Sequence, residues 1–260
     1  MPTRLRVDLA GYHHVINRGV NRCVVFNHAD DKEIFLQIIN KSATIHQVTL
    51  HDYSIMDNHY HLLIETQKEN IATFMRIVNA NYAKYYNKKY KRSGHLWQDR
   101  YKSRYITSED YLYTLIKYIE HNPIEAGLAQ KVGEYPFTLT SIIFNAKEHY
   151  PCSNQSLLLQ EFDIQTLHEF LDVSLTQEDL KLLQEKEKQK VLKSSDGITM
   201  RCSKRFEEHF ADVETKNYRN LAIQNAYLDG YSQVDIASYL KVSKSLISKV
   251  IKNGDSLTGV

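Results

Sequence analysis

The fold of this chain is decided by residues 49–66, which read TLHDYSIMDNHYHLLIET. Two runs with strand character, 49–56 and 59–66, stand on either side of Asp57-Asn58. An Asp-Asn pair between two such runs favours a tight turn. The segment therefore predicts a β-hairpin.

The second strand of this hairpin carries a His-x-His pair, His59 and His61. Successive side chains of a strand point to opposite faces, so both histidines share one face with Glu65, while Tyr60 points to the other. Two imidazoles on one face can both reach a divalent cation. Such pairs are also common as surface or hydrogen-bonded structural histidines, and the spacing alone leaves both readings open.

Elements on either side extend the hairpin into a larger unit. Strand character is found at 12–17 and 100–106, and helical spacing at 29–47, 70–90 and 109–121. The resulting order, β-α-β-β-α-β followed by a helix, predicts an α+β fold of the ferredoxin-like type.

The helix predicted at 109–121 has two distinct stripes. Its apolar residues recur at helical spacing and predict a buried stripe: Leu112, Leu115, Ile116 and Ile119. Tyr118 and Asn122 lie four residues apart on a flanking stripe, so one helix face can present both. Pro123 is predicted to end the helix. Spacing alone does not single out Tyr118 among 18 tyrosines.

Charge is unevenly distributed and predicts three parts. Residues 1–150 have an excess of cations, 151–200 an excess of anions, and 201–260 a small excess of cations. We predict a first domain at 1–150, a helical acidic connector at 151–200 and a helical module at 201–260. No strand is predicted beyond residue 150, and residues 194–197 are interpreted as a linker.

The composition favours a cytoplasmic, nucleoid-associated bacterial protein that makes no use of a membrane. No apolar run approaches the roughly 20 residues that span a bilayer. The three cysteines are scattered without Cys-x-x-Cys spacing, which predicts reduced thiols and neither a disulfide framework nor a zinc site.

Residues 81–106 combine cations with aromatic rings. Eight Lys or Arg side chains stand against one anion, Asp99, and six tyrosines and Trp97 are interleaved with them. Cations neutralise phosphates and flat rings stack on unpaired bases, so this mixture favours single-stranded nucleic acid. The alternative is a solvated helix face with a few core aromatic residues.

Residues 232–250 resemble a helix-turn-helix, with Ser232 and Ser243 as predicted N-caps. Lys241 stands where glycine is common, at a turn position that requires a positive φ. The second helix would present Lys244, Ser245 and Lys249 to a major groove. A helical pair used only for packing is the alternative.

Four motifs in order resemble the REP-associated tyrosine transposases, a branch of the single-tyrosine HUH endonucleases. They are YHHVINRG at 12–19, HYH at 59–61 after Asp57-Asn58, GHLWQDRYK at 94–102 and YIEHNP at 118–123. The resemblance covers roughly residues 5–145. It implies that the domain predicted at 1–150 is a catalytic domain, a nuclease of this type.

The resemblance also implies a mechanism and its residues. Tyr118 would attack a DNA phosphodiester and form a 5′-phosphotyrosine, with Mg²⁺ or Mn²⁺ held by His59 and His61. Two imidazoles make a weak site for Mg²⁺, so a third ligand is expected. Asn122 is the residue chosen, with His121 and Glu65 as rivals.

The implied partner is single-stranded DNA that forms hairpins, cut next to the hairpin, with the protein acting as a monomer and a dimer left open. Together with the charge pattern, the resemblance assigns DNA contacts outside the helix-turn-helix to Arg18, Lys84, Lys88, Lys89, Arg92, Trp97, Arg100 and Lys102. Two other functions stay open: a catalytically silent, domesticated transposase that regulates through DNA binding, and a protein that binds structured RNA.

Overall fold

The computed structural model describes residues 9–194, 197–202, 206–211, 216–228 and 231–255. Residues 1–8 of the predicted catalytic domain, and residues 195–196 of the predicted linker, lie outside these ranges. The chain divides between Gln184 and Glu185 into two compact units. Within the described ranges, no helix is both long and apolar enough to cross a membrane.

The first unit is built on a four-stranded antiparallel sheet. Its strands are β1 (Gly11–Arg18), β2 (Val48–Ile55), β3 (His59–Thr66) and β4 (Lys102–Tyr105). They follow the order β2-β3-β1-β4, with β3 antiparallel to β2 and β1. The connecting helices are α1 (Ala29–His46), between β1 and β2, and α2 (Ile71–Lys89), between β3 and β4. The predicted ferredoxin-like arrangement is confirmed.

Helix α3 (Glu109–Glu125) follows β4 and is longer than predicted. The prediction that Pro123 ends it is wrong, because a proline in the last turn removes only one backbone hydrogen bond. The helix ends at Glu125, and Gly127, two residues later, has a left-handed φ of 71°. There the N–H groups of Gly127 and Leu128 donate to the carbonyls of Ile124 and Pro123, and these bonds satisfy the last turn.

The two faces of the sheet pack against different helices. On one face, the Tyr60 ring lies 4.8 Å from that of Phe35 on α1, and its hydroxyl donates to Asn79 on α2. On the other face, the ring of His61 lies 5.5 Å from that of Tyr118 on α3. The alternation predicted for the second hairpin strand therefore holds, and it places the histidine pair beneath α3.

Further elements follow α3. They are α4 (Leu139–Phe144), α5 (Leu157–Gln160), α6 (Ile164–Asp172), α7 (Gln177–Lys188), β5 (Gln189–Ser194) and β6 (Gly197–Cys202). The interpretation of 194–197 as a linker is wrong, because Ser194 and Gly197 are register partners at one end of the β5–β6 pair. The run before them is rich in Lys, Glu and Gln, which favour helix and mask a strand that depends on its pairing partner.

The second unit also contains three helices, α8 (Lys216–Leu228), α9 (Gln233–Tyr239) and α10 (Lys244–Asp255). Residues from all three form one apolar cluster, with Ile223, Ile236 and Ile247 at most 1% exposed. Both predicted N-caps are confirmed, since Ser232 Oγ accepts from Asp235 N and Ser243 Oγ from Leu246 N. Lys241 has the predicted positive φ, 51°.

Candidate active site

The histidine pair lies on β3, directly below α3. The ring centroids of His59 and His61 are 5.2 Å apart. His61 is 3% exposed and His59 is partly buried. The Tyr118 ring approaches His61 edge-on at 5.5 Å. The three residues that the resemblance names for the chemistry are thus brought together from two elements distant in sequence.

A second buried histidine completes this cluster. His14 of β1 is 1% exposed, and its ring lies edge to edge with that of His61, with the two ring centroids 5.3 Å apart. It also lies 6.2 Å from the ring of Tyr118. Although the YHHVINRG motif contains it, His14 is not among the predicted site residues. The alternation of β1 places it on the same face as Arg18, but only the pairing with β3 shows that this is the face of the histidine pair.

The hydrogen bonds of the two predicted ligands leave the same ring atom available in each. Asn58 Oδ1, an acceptor, lies 2.6 Å from Nδ1 of His59, so this nitrogen donates. Nδ1 of His61 lies 3.0 Å from Nε2 of His14. In both ligands it is therefore Nε2 that remains for a cation. Engagement of the opposite ring nitrogen is the usual way in which a protein orients a metal-binding histidine.

Burial keeps these imidazoles neutral. It lowers the pKa of His61 to about 3, with smaller contributions from His59 and the positive charge of Arg104. Burial also lowers the pKa of His59, and Arg18 adds to this effect. The neutral imidazole is the form that binds a cation. The donor set therefore fits a divalent cation at neutral pH.

Two arginines lie on the same face of the sheet as the histidines. Arg18 is the register partner of His59, and Arg104 of β4 is the register partner of His14. Arg18 is exposed and Arg104 partly exposed. Of these two, only Arg18 is a predicted DNA contact. Arg104 belongs to the basic stretch 81–106, but its place beside the histidines depends on the pairing of β4 with β1.

Comparison with known proteins identifies this part of the chain. The family model described as "Transposase IS200 like" matches residues 8–122, a range that includes Tyr118, Asn122 and the histidine pair. These residues are similar to the IS200-like transposases. We call residues 8–122 the IS200-like domain.

Two solved structures are similar to the chain. The structure of a REP-associated tyrosine transposase bound to a REP hairpin is 14% identical, with a TM-score of 0.47 over 58% of this chain and 89% of that chain. A putative transposase from Deinococcus radiodurans is 21% identical, with a TM-score of 0.34 over 46% of this chain and 96% of that chain. No curated protein matches the chain.

In the IS200-like domain, Asn122 lies on α3 one turn after Tyr118. It is 9% exposed, and its Nδ2 donates to the Tyr118 carbonyl at 2.6 Å. Its Oδ1 is the atom left to act as a ligand. The rival candidates have other partners, because Nε2 of His121 lies 2.7 Å from the Leu171 carbonyl and Glu65 pairs with His51. Among the described residues, no group of three or more His, Cys, Asp or Glu side chains could hold a metal.

The aromatic residues of the 81–106 stretch point largely into the protein. Tyr82, Tyr86 and Tyr101 are at most 5% exposed. Trp97 is partly buried, lies 5.6 Å from the ring of Tyr60, and donates from Nε1 to the Asn79 carbonyl. These side chains serve the core of the IS200-like domain, which was the alternative reading of this segment.

The cations of the same stretch are mostly at the surface. The predicted DNA contacts of this unit with exposed positions are Arg18, Lys84, Lys88, Lys89, Arg92, Arg100 and Lys102. Lys89 differs from the others, because its Nζ forms a 2.7 Å salt bridge with the buried carboxylate of Asp31. In the second unit, Lys244, Ser245 and Lys249 are exposed on α10, whereas Ile247 and Val250 of the same helix are buried.

Proposed function

We propose that the protein is a metal-dependent single-stranded DNA endonuclease and strand transferase that cleaves beside hairpin DNA through a covalent 5′-phosphotyrosine at Tyr118. The observation that carries this proposal is the position of Tyr118, whose ring lies 5.5 Å from the ring of His61. His61 forms, with His59, the pair of neutral imidazoles described above. The match of residues 8–122 to the model of IS200-like transposases supports the same class of reaction.

The proposed step is a transesterification. Tyr118 Oη attacks a backbone phosphorus, the P–Oη bond forms and the P–O3′ bond breaks. The Oη proton is released and the departing 3′ oxygen takes up a proton. The phosphotyrosine retains the energy of the broken phosphodiester, so a 3′-hydroxyl can reverse the step and join strands without ATP.

The residues around Tyr118 would position and stabilise this step. Nε2 of His59 and Nε2 of His61, with Oδ1 of Asn122 as third ligand, would hold Mg²⁺ or Mn²⁺. When bound, the cation supplies positive charge to the phosphate oxygens on which negative charge develops. Arg18 and Arg104 would place further positive charge on the same face of the sheet and bind neighbouring phosphates.

DNA binding would depend chiefly on phosphate contacts. The exposed cations of the 81–106 stretch can neutralise phosphates, whereas its tyrosines are largely committed to packing. In the second unit, the exposed face of α10, with Lys244, Ser245 and Lys249, would enter the major groove of a duplex segment. A hairpin offers both kinds of DNA, an unpaired strand and a duplex stem.

The test uses end-labelled hairpin oligonucleotides with unpaired flanks, incubated with Mn²⁺ or Mg²⁺ and resolved on a denaturing gel. We expect wild type to form a covalent protein–DNA adduct only when a cation is present. Tyr118→Phe is expected to abolish the adduct and leave hairpin affinity within a few-fold. The matched control is Tyr113→Phe, on the same helix, whose hydroxyl donates to Glu161 and which should leave adduct formation unchanged.

Two outcomes would contradict the proposal in different ways. An adduct that survives Tyr118→Phe would assign the nucleophile to another residue. Hairpin binding without an adduct, across several hairpins and both cations, would instead support the catalytically silent regulator, for which the exposed cations of α10 provide a DNA-binding surface. Clear preference for an RNA hairpin of the same sequence would support the RNA-binding alternative.

A further inference from the structure

The contact between His14 and His61 constrains where the protons of the cluster can be. The two rings are nearly parallel, with an interplanar angle of 20° and centroids 5.3 Å apart. Nε2 of His14 faces Nδ1 of His61 at 3.0 Å. At this distance one proton lies between the two nitrogens, because two lone pairs or two N–H groups would repel each other.

Only a neutral imidazole binds a cation, and a neutral imidazole carries one proton on one of its two ring nitrogens. Only two arrangements then remain. If the shared proton belongs to His14, His61 carries its own proton on Nε2 and cannot bind a cation. If it belongs to His61, Nε2 of His61 has a free lone pair and His14 carries its proton on Nδ1.

The second arrangement has a structural cost. Nδ1 of His14 is buried and makes no hydrogen bond. A cation on Nε2 of His61 therefore requires that the buried Nδ1 of His14, the neighbouring ring, carries a proton without a hydrogen-bond acceptor. A group left in this state costs free energy, and such groups are rare unless function requires them.

We infer that His14 is a positioning residue for the cation site: its Nε2 accepts the Nδ1 proton of His61, which fixes the tautomer and ring orientation of His61 and leaves Nε2 of His61 as the ligand atom. This inference rests on the proposed function. Histidines that bind metals usually donate their second N–H to a carboxylate, a carbonyl or water. Here the imidazole of His14 takes that place, on the same face of the sheet and beneath the proposed nucleophile.

The first measurement reads the tautomers directly. Histidine ¹⁵N chemical shifts of the full-length protein distinguish a protonated from an unprotonated ring nitrogen. With saturating Mg²⁺, we expect protons on Nδ1 of His61 and on Nδ1 of His14. A proton on Nε2 of His14 in the cation-bound protein would overturn the inference. This readout needs no substitution and does not depend on cleavage.

The second measurement compares Mn²⁺ affinity, by calorimetry or by the free Mn²⁺ signal in electron paramagnetic resonance. His14→Phe keeps an apolar ring but cannot accept the proton, and we expect affinity about 10- to 100-fold weaker, the usual effect of losing such a partner. His14→Gln places an amide oxygen near the original Nε2, so we expect most of the affinity to return. His13→Phe is the matched control.

His13 suits this purpose because it is equally buried but has different partners. Its Nε2 lies 2.8 Å from the Leu9 carbonyl, and its Nδ1 faces Ser103 Oγ. Because His13 is adjacent to His14 on β1, its side chain points to the opposite face of the sheet. We expect His13→Phe to bind Mn²⁺ as wild type does. Thermal unfolding of each variant separates loss of the site from loss of the fold.

The outcomes separate this inference from the proposed function. If wild type binds Mn²⁺ and folded His14→Phe binds it equally well, the positioning role is wrong and the proposed function stands. If wild type binds neither Mn²⁺ nor Mg²⁺, the metal dependence of the proposed function fails, and the positioning role fails with it. If His14→Phe does not fold, the wild-type tautomers and His14→Gln decide the question.

Discussion

Lys89, at the end of α2, donates a 2.7 Å hydrogen bond to the carboxylate of Asp31, which is fully buried in the first turn of α1. The hydroxyls of Tyr85 and Tyr90 donate to the same carboxylate, as does the backbone N–H of His28. The stretch 81–106, whose tyrosines and lysines suit nucleic-acid binding, thus also joins α2 to α1 through the buried carboxylate of Asp31.

We predict that Asp31→Asn destabilises the IS200-like domain by about 2–3 kcal/mol, because hydrogen bonds to a charged group are lost and the Lys89 charge loses its partner. Urea unfolding measures this change. Asp30→Asn is the control, since Asp30 is exposed in the same helical turn and a surface change of this kind costs less than about 0.5 kcal/mol. Equal losses in the two variants would show that the buried carboxylate has no special role.

The same site predicts a pH dependence. Burial by itself raises the pKa of Asp31, but the hydrogen bonds from Lys89, Tyr90 and Tyr85 outweigh it, so the pKa is lowered overall. A carboxyl group with a lowered pKa contributes stability that is complete above its unfolded value, roughly 3.9, and is lost as pH falls through the folded value. The stability difference between wild type and Asp31→Asn should therefore be constant near pH 7 and shrink below about pH 4. A difference that grows on acidification would contradict this.

Two adjacent lysines should separate structural from DNA-binding roles. Lys88 and Lys89 are both exposed, but only Lys89 forms a salt bridge with Asp31. We expect Lys88→Ala to weaken hairpin binding and to reduce the slope of log affinity against log salt by roughly 0.7–1, with stability unchanged. Lys89→Ala should mainly lower stability. Filter binding across a salt series measures hairpin affinity, and urea unfolding measures stability. Identical changes in the two variants would exclude separate DNA-binding and structural roles for the two lysines.

Much of the fold follows from local patterns. The Asp57-Asn58 turn, the alternation around His59 and the apolar stripe of α3 are each set by neighbouring residues, so β2, β3 and α3 are found near their predicted places. The sequence does not predict the β5–β6 pair, because strands of this kind depend on a pairing partner more than on their own composition.

The site was predicted less completely than the fold, for a related reason. Only the resemblance distinguishes Tyr118 from the other tyrosines of the sequence, and the structure places it beside His61. His14 and Arg104 reach the site only through strand register, which residue spacing does not contain. Likewise, the side chains of Tyr85 and Tyr90 look suited to base stacking until Asp31, more than 50 residues away in sequence, is placed between them.

Asn122 offers a test of the third ligand. Its Nδ2 donates a hydrogen bond to the Tyr118 carbonyl. A purely structural role would therefore depend on this nitrogen, whereas a role as ligand would depend on Oδ1. Asn122→Ala removes both atoms, and we expect Mn²⁺ affinity to fall on the order of tenfold. Asn122→Asp keeps an oxygen ligand and adds charge, so it should bind Mn²⁺ at least as tightly as wild type. Equal affinities of the alanine variant and wild type would remove Asn122 from the site.

Lys241, between α9 and α10, has a φ of 51°, a conformation that costs a residue with a Cβ roughly 1–2 kcal/mol. Glycine adopts it without this cost but loses more backbone entropy on folding, which offsets about half. We therefore expect Lys241→Gly to stabilise α9 and α10 by about 0.5–1 kcal/mol, seen as amide hydrogen exchange roughly 2- to 5-fold slower. Lys249→Gly makes the same change within α10, where it should cost about 1 kcal/mol and speed exchange. Faster exchange in both variants would mean that the Lys241 side chain stabilises the turn by more than its backbone strain costs.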